Sequence, residues 1–285
     1  MQYLQSAKKL KKYDLFLIDQ WGVIHDGEKK FKEAYKVLLF LKKLGKKIVI
    51  ISNSSENASY TSSITLKKLK INNKIFDKIV TSGEIFENEI ELIKNKFKKK
   101  YLKCLCISAF DKKELLKKKN ILITNNLDQI DFILASSIKP NLNLINLKKK
   151  LNECRVKQIP MICTNPDKKV FNGNVKKLVE QVGVLASYYK KIGGKVKFYG
   201  KPHSRIYKEC LMGYRGIVKK KVLMIGDSIE NDILGAQKFK IDTLFILNGN
   251  HKNEFIKLNN NEIKEKISQT WKKIRPTYFS PTLKI

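Results

Sequence analysis

The sequence is short of arginine. Its cations are lysines except for Arg155, Arg205, Arg215 and Arg275, although the formal net charge is +33. Arginine is the residue suited to bidentate reading of bases and phosphates, so its scarcity argues against a specific nucleic-acid partner. The lysines are spread along the whole chain, and asparagine and isoleucine are abundant with them. These are residues of A/T-rich codons, and the pattern reads as compositional drift that leaves solvated lysine faces. Attraction to polyanions would then be nonspecific and would fade steeply with salt.

Cysteine is also sparse. Cys104, Cys106, Cys154, Cys163 and Cys210 make an odd set without secretory context, which argues against a disulfide framework. Cys104 and Cys106 alternate with Leu105 and Ile107 and read as part of a buried strand. Long apolar runs are missing. The longest, Leu38 to Leu44, is broken by Lys42 and Lys43, well short of the roughly 20 residues of a membrane helix. The start, MQYLQSAKKLKKYD, lacks the order of a signal peptide. The expectation is a cytoplasmic protein with no membrane partner. What is present is a globular composition, 42% hydrophobic and 9% aromatic over 285 residues, enough for one large domain or two modest ones.

Strand-length apolar runs alternate with helical patterns. Asp14 to Asp19, Lys47 to Ser52 and Lys78 to Thr81 read as buried strands. Phe31 to Leu44, ending at Gly45, and Ala58 to Leu69 read as helices, and Ser82-Gly83 opens another. This order is that of a parallel sheet with helices on both faces. The middle repeats it. Leu102 to Ser108, Phe132 to Ser136 and Pro160 to Thr164 are strand candidates, and Lys112 to Lys119 and Asn143 to Glu153 are helical. Val175 to Ile192 is expected to be one helix. Val196 to Tyr199, Lys221 to Ile225 and Thr243 to Leu247 follow as strands, with helices at His203 to Met212 and Asp232 to Phe239. Beyond Asn250 one weak helical stretch precedes a Pro-interrupted polar segment. The expected fold is α/β, a Rossmann-like parallel core over 1–81 and 188–285 with an inserted α/β unit over 82–187.

Ligands of open α/β sheets bind at the carboxyl ends of the strands. Asp19-Gln-Trp-Gly ends the first strand and Ser52-Asn53 the second. Gly200-Lys201-Pro202-His203 precedes a helix, and Gly226-Asp227-Ser-Ile-Glu230-Asn231-Asp232 follows a buried strand. An aspartate at a strand end is commonly a cap, Ser-Asn is an ordinary turn, and the GKP loop could be a surface turn. The last segment is sharper, with three acids and an asparagine between strand and helix. Hard cations such as Mg²⁺ take a few carboxylate oxygens together with waters and phosphate oxygens.

In this order the four segments, LFLIDQWG, IISN, GKP and IGDSIEND, resemble the motifs of the haloacid dehalogenase (HAD) superfamily. An insert between the second and third is similar to its class IIA, NagD-like branch, and Cys163-Thr-Asn-Pro-Asp167 resembles that branch's TNPD signature. The resemblance runs to about Gly249. It implies a Mg²⁺-dependent phosphatase acting on a small phosphorylated metabolite, with the insert as a cap. Asp19 would attack phosphorus and form an aspartyl phosphate. Mg²⁺ would be held by Asp19, the Trp21 backbone carbonyl, Asp227 and, through water, Asp232. Ser52, Asn53 and Lys201 would bind phosphate, Lys201 also serving catalysis as a point charge. Asn165 and Asp167 would face the leaving group, although N-P-D is also a good turn sequence. Family members often pair through their caps, so a homodimer is one expected assembly.

Phosphatases of this superfamily usually carry a second aspartate two positions after the nucleophile, as general acid and base. Here that position is Trp21, which donates a hydrogen bond but exchanges no proton usefully. A subset of class IIA reads D-x-W-G followed by a histidine and Asp-Gly, as Val23-Ile-His25-Asp26-Gly27 does here. His25 or Asp26 could replace the missing acid; alternatively Asp26-Gly27 is a hairpin turn and His25 is structural. A further alternative is a regulatory module that keeps the phosphate and metal site with little turnover.

Overall fold

The computed structural model describes residues 1–139, 142–172 and 177–285. Strands β1 (Gln2–Tyr3), β2 (Leu15–Ile18), β3 (Lys47–Ser52) and β4 (Lys78–Thr81) lie before the insert. The insert carries β5 (Leu102–Ile107), β6 (Ile121–Ile123), β7 (Phe132–Ala135), β8 (Met161–Cys163), β9 (Lys169–Asn172), β10 (Lys177–Glu180) and β11 (Val196–Phe198). The chain ends with β12 (Val222–Gly226), β13 (Asp242–Ile246) and β14 (Tyr278–Ser280). A seven-stranded sheet runs β1-β14-β13-β12-β2-β3-β4, and its pairings are all parallel. A separate five-stranded parallel sheet runs β11-β8-β7-β5-β6. The expected α/β core with an inserted α/β unit is the fold observed.

The core strands are buried on both faces, which is why they read as continuous apolar runs. Phe16 and Ile18 pack with Val37, Leu38 and Leu41 of the helix Lys32–Lys43. Leu15 and Leu17 point the other way, onto Ile206, Tyr207 and Cys210 of the helix Ser204–Leu211. The chain leaves β2 towards β3 and β4, then returns to β12 on the opposite side of β2. The gap between β2 and β12 is thus a topological switch point, where such sheets form a crevice.

Several expectations need correction. Residues 177–180 are not helical; β10 pairs antiparallel with β9 as a ribbon, and the helix begins only at Gly183. Leu178 and Val179 suit either pattern, and pairing with Val170 and Phe171 decides between them. Val175, where the helix was expected to start, lies outside the described residues. β11 hydrogen-bonds into the inserted sheet, so we place the return to the core at 199–200 rather than at 188. The tail, expected as one weak helical stretch and a polar segment, also adds to the core. Ile263 and Ile267 of the capped helix Asn260–Thr270 pack on Phe245 and Phe279, and β14 joins the core sheet. All five cysteines are free. Among the described residues no helix is long and apolar enough to cross a membrane.

Candidate active site

Two strand ends meet at the switch point. Asp19 follows β2, and its backbone N–H donates to Ile225 O of β12 at 2.9 Å. Asp227 follows β12, and Asp232 lies on the helical turn Ile229–Ile233. Oxygen atoms of Asp19, Asp227 and Asp232 all lie within 4.8 Å of one another. Asp227 accepts from the Asn250 backbone N–H at 2.8 Å and from Asn250 Nδ2 at 3.3 Å. Asp232 Oδ2 accepts from Ser228 N at 2.9 Å, while the buried Oδ1 faces the Lys201 ammonium. Backbone closes tightly on this cluster. A Cβ on Gly22, at φ +74°, would sit 1.8 Å from Asp227 Oδ2, so only glycine fits there.

Lys201 is the cation at this cluster. Its buried Nζ lies 2.7 Å from Asp19 Oδ1 and 2.8 Å from Asp232 Oδ1, and donates to Ile51 O at 3.1 Å. Burial alone would lower its pKa; Asp19, Asp232 and Asp167 overcome this and raise it. Burial pushes the Asp19 carboxyl up to about 7, Lys201 opposing and Asp232 adding to the rise. Burial, then Asp19 and Asp232, push Asp227 well above the usual carboxylate range. One lysine therefore leaves the carboxylates short of positive charge. Three carboxylates whose oxygens converge as hard donors suit a hard divalent cation.

Asn53, after β3, brackets the Lys201 loop. Its Oδ1 accepts from Lys201 N at 2.7 Å, and its Nδ2 donates to Lys201 O at 3.2 Å. Gly200, at φ +96°, gives the room; a Cβ there would lie 2.4 Å from Asn53 Oδ1. Asn53 Nδ2 also donates to Asp167 Oδ1 at 2.8 Å. The Asn53 amide, expected to serve phosphate, is thus already engaged on both sides. Ser52 Oγ accepts from Ser54 N at 3.1 Å and lines the cavity.

That cavity, of about 430 Å³, lies between core and insert. Asp19, Trp21 and Lys201 line it from the core, Asn165, Asp167 and Phe110 from the insert. Asp167 reaches across to the core, its Oδ1 also accepting from Asn231 Nδ2 at 2.7 Å. Asn165 turns back, its Oδ1 accepting from Asp167 N at 3.1 Å. His203 stacks on Phe198 with centroids 5.6 Å apart and does not line the cavity.

His25 and Asp26 are not brought to the cavity either. The flap after β2 folds the His25 ring inward, fully buried and edge-on to Trp21 at 5.2 Å. Its Nδ1 accepts from Gly27 N at 3.1 Å, and burial pushes the imidazole down to about 4. Burial favours the neutral ring and keeps it out of the cavity lining, so it is poorly placed to deliver a proton there. Asp26 Oδ1 accepts from Glu28 N at 3.0 Å and Lys29 N at 2.9 Å, which makes it a turn residue. Of the two sequence alternatives, the geometry supports the structural one. Sequence reasoning missed Asn250, which binds Asp227 and accepts from Phe171 N of β9 at 2.8 Å. The only signal was polar Asn248-Gly249-Asn250 directly after a buried strand.

A carboxylate cluster with one buried lysine lies at the switch point of a parallel sheet, roofed by an inserted sheet, which makes a capped, doubly wound α/β fold with an acidic crevice. Family models described as haloacid dehalogenase-like hydrolase match residues 16–122 and 143–240, and one described as HAD-hydrolase-like matches 198–284. The chain is a haloacid dehalogenase-type hydrolase, and its fold is shared with a putative nagD protein. It is similar to a haloacid dehalogenase-like family hydrolase from Brucella suis, at 23% identity over 99% of each chain and a TM-score of 0.80. It is also similar to a possible sugar phosphatase from Cytophaga hutchinsonii, at 23% identity over 100% of this chain and 99% of that one, TM-score 0.79. A p-nitrophenyl phosphatase from Archaeoglobus fulgidus matches at 21% identity over 95% and 96%, TM-score 0.68. Among curated proteins none matches the chain in sequence.

Proposed function

We propose that the chain hydrolyses a phosphomonoester of a small metabolite through an aspartyl phosphate on Asp19. The observation that carries this is the contact of Lys201 Nζ with both Asp19 and Asp232 inside a capped cavity. Lys201 opposes the rise that burial gives the Asp19 pKa, which favours the anion, and offers charge to a phosphoryl oxygen. Ser52 offers a hydroxyl to the same group, and Asn53 holds the Lys201 loop in place. Asp19, the Trp21 carbonyl, Asp227 and, through water, Asp232 are the residues that would hold Mg²⁺. When bound, Mg²⁺ supplies positive charge against the repulsion between Asp19 and the phosphoryl group. The flap sequence Asp19-Gln-Trp21-Gly with His25-Asp26-Gly27 supports membership of the D-x-W-G subset. Relatives named as sugar and nitrophenyl phosphatases support the substrate class.

Trp21 favours a second reading, a phosphate and metal-binding module with little turnover. Phosphate release from a panel of phosphorylated sugars, nucleotides and polyols with Mg²⁺ separates the two. Release that Asp19→Asn abolishes is expected; binding of inorganic phosphate without release from any ester would favour the module.

A further inference from the structure

The reaction still needs a proton for the leaving group, and Trp21 cannot give one. Five acids line the cavity: Asp19, Glu28, Glu56, Asp167 and Asp232. Asp19 is the attacking group. Asp232 lies against Lys201. Glu56 is paired with Lys112, and Glu28 with Lys68 at 3.4 Å near the exposed mouth. Asp167 remains. It is carried by the insert, which faces the part of a substrate that lies beyond the phosphate.

Resting on the phosphatase reading above, we propose that Asp167 is the general acid and base of this enzyme, supplied by the cap in place of the residue at position 21. Its placement is constrained from three sides. Asn53 Nδ2 and Asn231 Nδ2 hold Oδ1 at 2.8 and 2.7 Å, one from each flank of the core site. From behind, Gly183 N donates to Asp167 O at 3.1 Å, where a Cβ on Gly183 would lie 2.4 Å from that oxygen. The loop is thereby fixed to the start of the helix Gly183–Lys191. Burial raises the Asp167 pKa, with Asp232 adding and Lys201 and the two amides opposing. That raises the protonated share available near neutral pH.

The steps balance. Asp19 attacks phosphorus, and the bond from phosphorus to the ester oxygen breaks with its electron pair going to that oxygen. The Asp167 carboxyl proton passes to the oxygen, releasing the alcohol and leaving a carboxylate. Water then attacks the aspartyl phosphate and gives its proton to Asp167. The bond from phosphorus to Asp19 breaks with its pair returning to Asp19, and inorganic phosphate leaves. Both aspartates are regenerated.

The test uses the full chain with Mg²⁺ and a series from p-nitrophenyl phosphate to unsubstituted phenyl phosphate and an alkyl phosphate. Nitrophenolate leaves without a proton; an alkoxide does not. Asp167→Asn is near-isosteric and still offers Oδ1 to both asparagines. The expected result is a loss of kcat/KM of about 10²-fold or more on the alkyl ester, and less than about tenfold on p-nitrophenyl phosphate. The ratio is read within one variant, so it is insensitive to a reduced folded fraction. Equal losses along the series, or none, would overturn the proposal and leave the phosphatase reading standing. Absence of any turnover that depends on Asp19 would overturn both.

Discussion

Two loops approach the cavity, and they use similar residues for opposite ends. The flap after β2 carries His25 and Asp26, only a few positions from Asp19 in sequence, yet both turn inward to hold the flap itself. The cap loop carries Asn165 and Asp167, well over a hundred positions away, yet Asp167 crosses to the core and binds Asn53 and Asn231. The difference lies in what each backbone satisfies. In the flap, the N–H groups of Gly27, Glu28 and Lys29 have no sheet partner and take the nearby side chains as acceptors. In the cap loop, Asn165 meets the Asp167 N–H, which frees the Asp167 carboxylate to look elsewhere. An acid's nearness in sequence is thus a poor guide to its nearness to the reacting atoms.

The comparison has a floor that can be measured first. Asp19→Asn should cost on the order of 10³-fold or more in phosphate release, with the fold retained by circular dichroism. Residual turnover within tenfold of the parent would mean that neither loop serves an aspartyl-phosphate reaction.

Next in size is His25. Its folded pKa of about 4 lies below the 6.5 of a free imidazole. The folded state therefore binds fewer protons than the unfolded chain between these values. The stability it confers is complete above pH 6.5 and is lost as pH falls towards 4, by about 3 kcal/mol at most. Raised carboxylates such as Asp19 act in the opposite direction, so the signal is the difference between parent and His25→Gln. Denaturant unfolding from pH 7 to 4 should fall less steeply for the variant. Parallel curves would show that His25 is accessible to protons, and the flap would regain its claim on the chemistry.

Gly27→Ala probes the same packing more gently. At φ +93° its Cβ would meet the Trp21 ring at 2.3 Å. A cost of about 1–3 kcal/mol in unfolding free energy is expected from the strained backbone and the displaced indole. Since Trp21 lines the cavity, KM should rise as well. An unchanged KM would place Trp21 outside the substrate's reach.

The strand ends were legible because parallel strands buried on both faces are apolar to their last residue, so the first polar side chain marks the crevice. Asp19, Asn53 and Asp227 were found that way, and Lys201 through the motif it completes. What could not be read depends on distant pairing. β1 and β14 are only two and three residues long, and nothing local distinguishes Tyr278–Ser280 from coil until β13 is beside it. The β9–β10 ribbon has the same problem, since Leu178-Val179 carries no period of its own. Asn250 follows from the close approach of backbone to Asp227, which no pattern of residue types encodes. The direction of Asp167 required knowing that Asn53 and Asn231, far apart in sequence, converge on its carboxylate.

The smallest effect discriminates most between the two loops. Asp26→Asn keeps an oxygen that can accept from Glu28 N and Lys29 N, so the turn should survive at a cost below about 1 kcal/mol. It removes one of the two flap carboxyls; the other, Glu28, is already paired with Lys68, and the neighbouring imidazole is buried away from the cavity. Turnover of phenyl phosphate should therefore remain within about twofold of the parent, while Asp167→Asn loses far more on the same ester. A loss of 10²-fold or greater in Asp26→Asn, with Asp167→Asn active, would reverse the assignment. It would mean that the flap opens in the substrate complex and delivers its aspartate, and the cap loop would then be a structural clasp between insert and core.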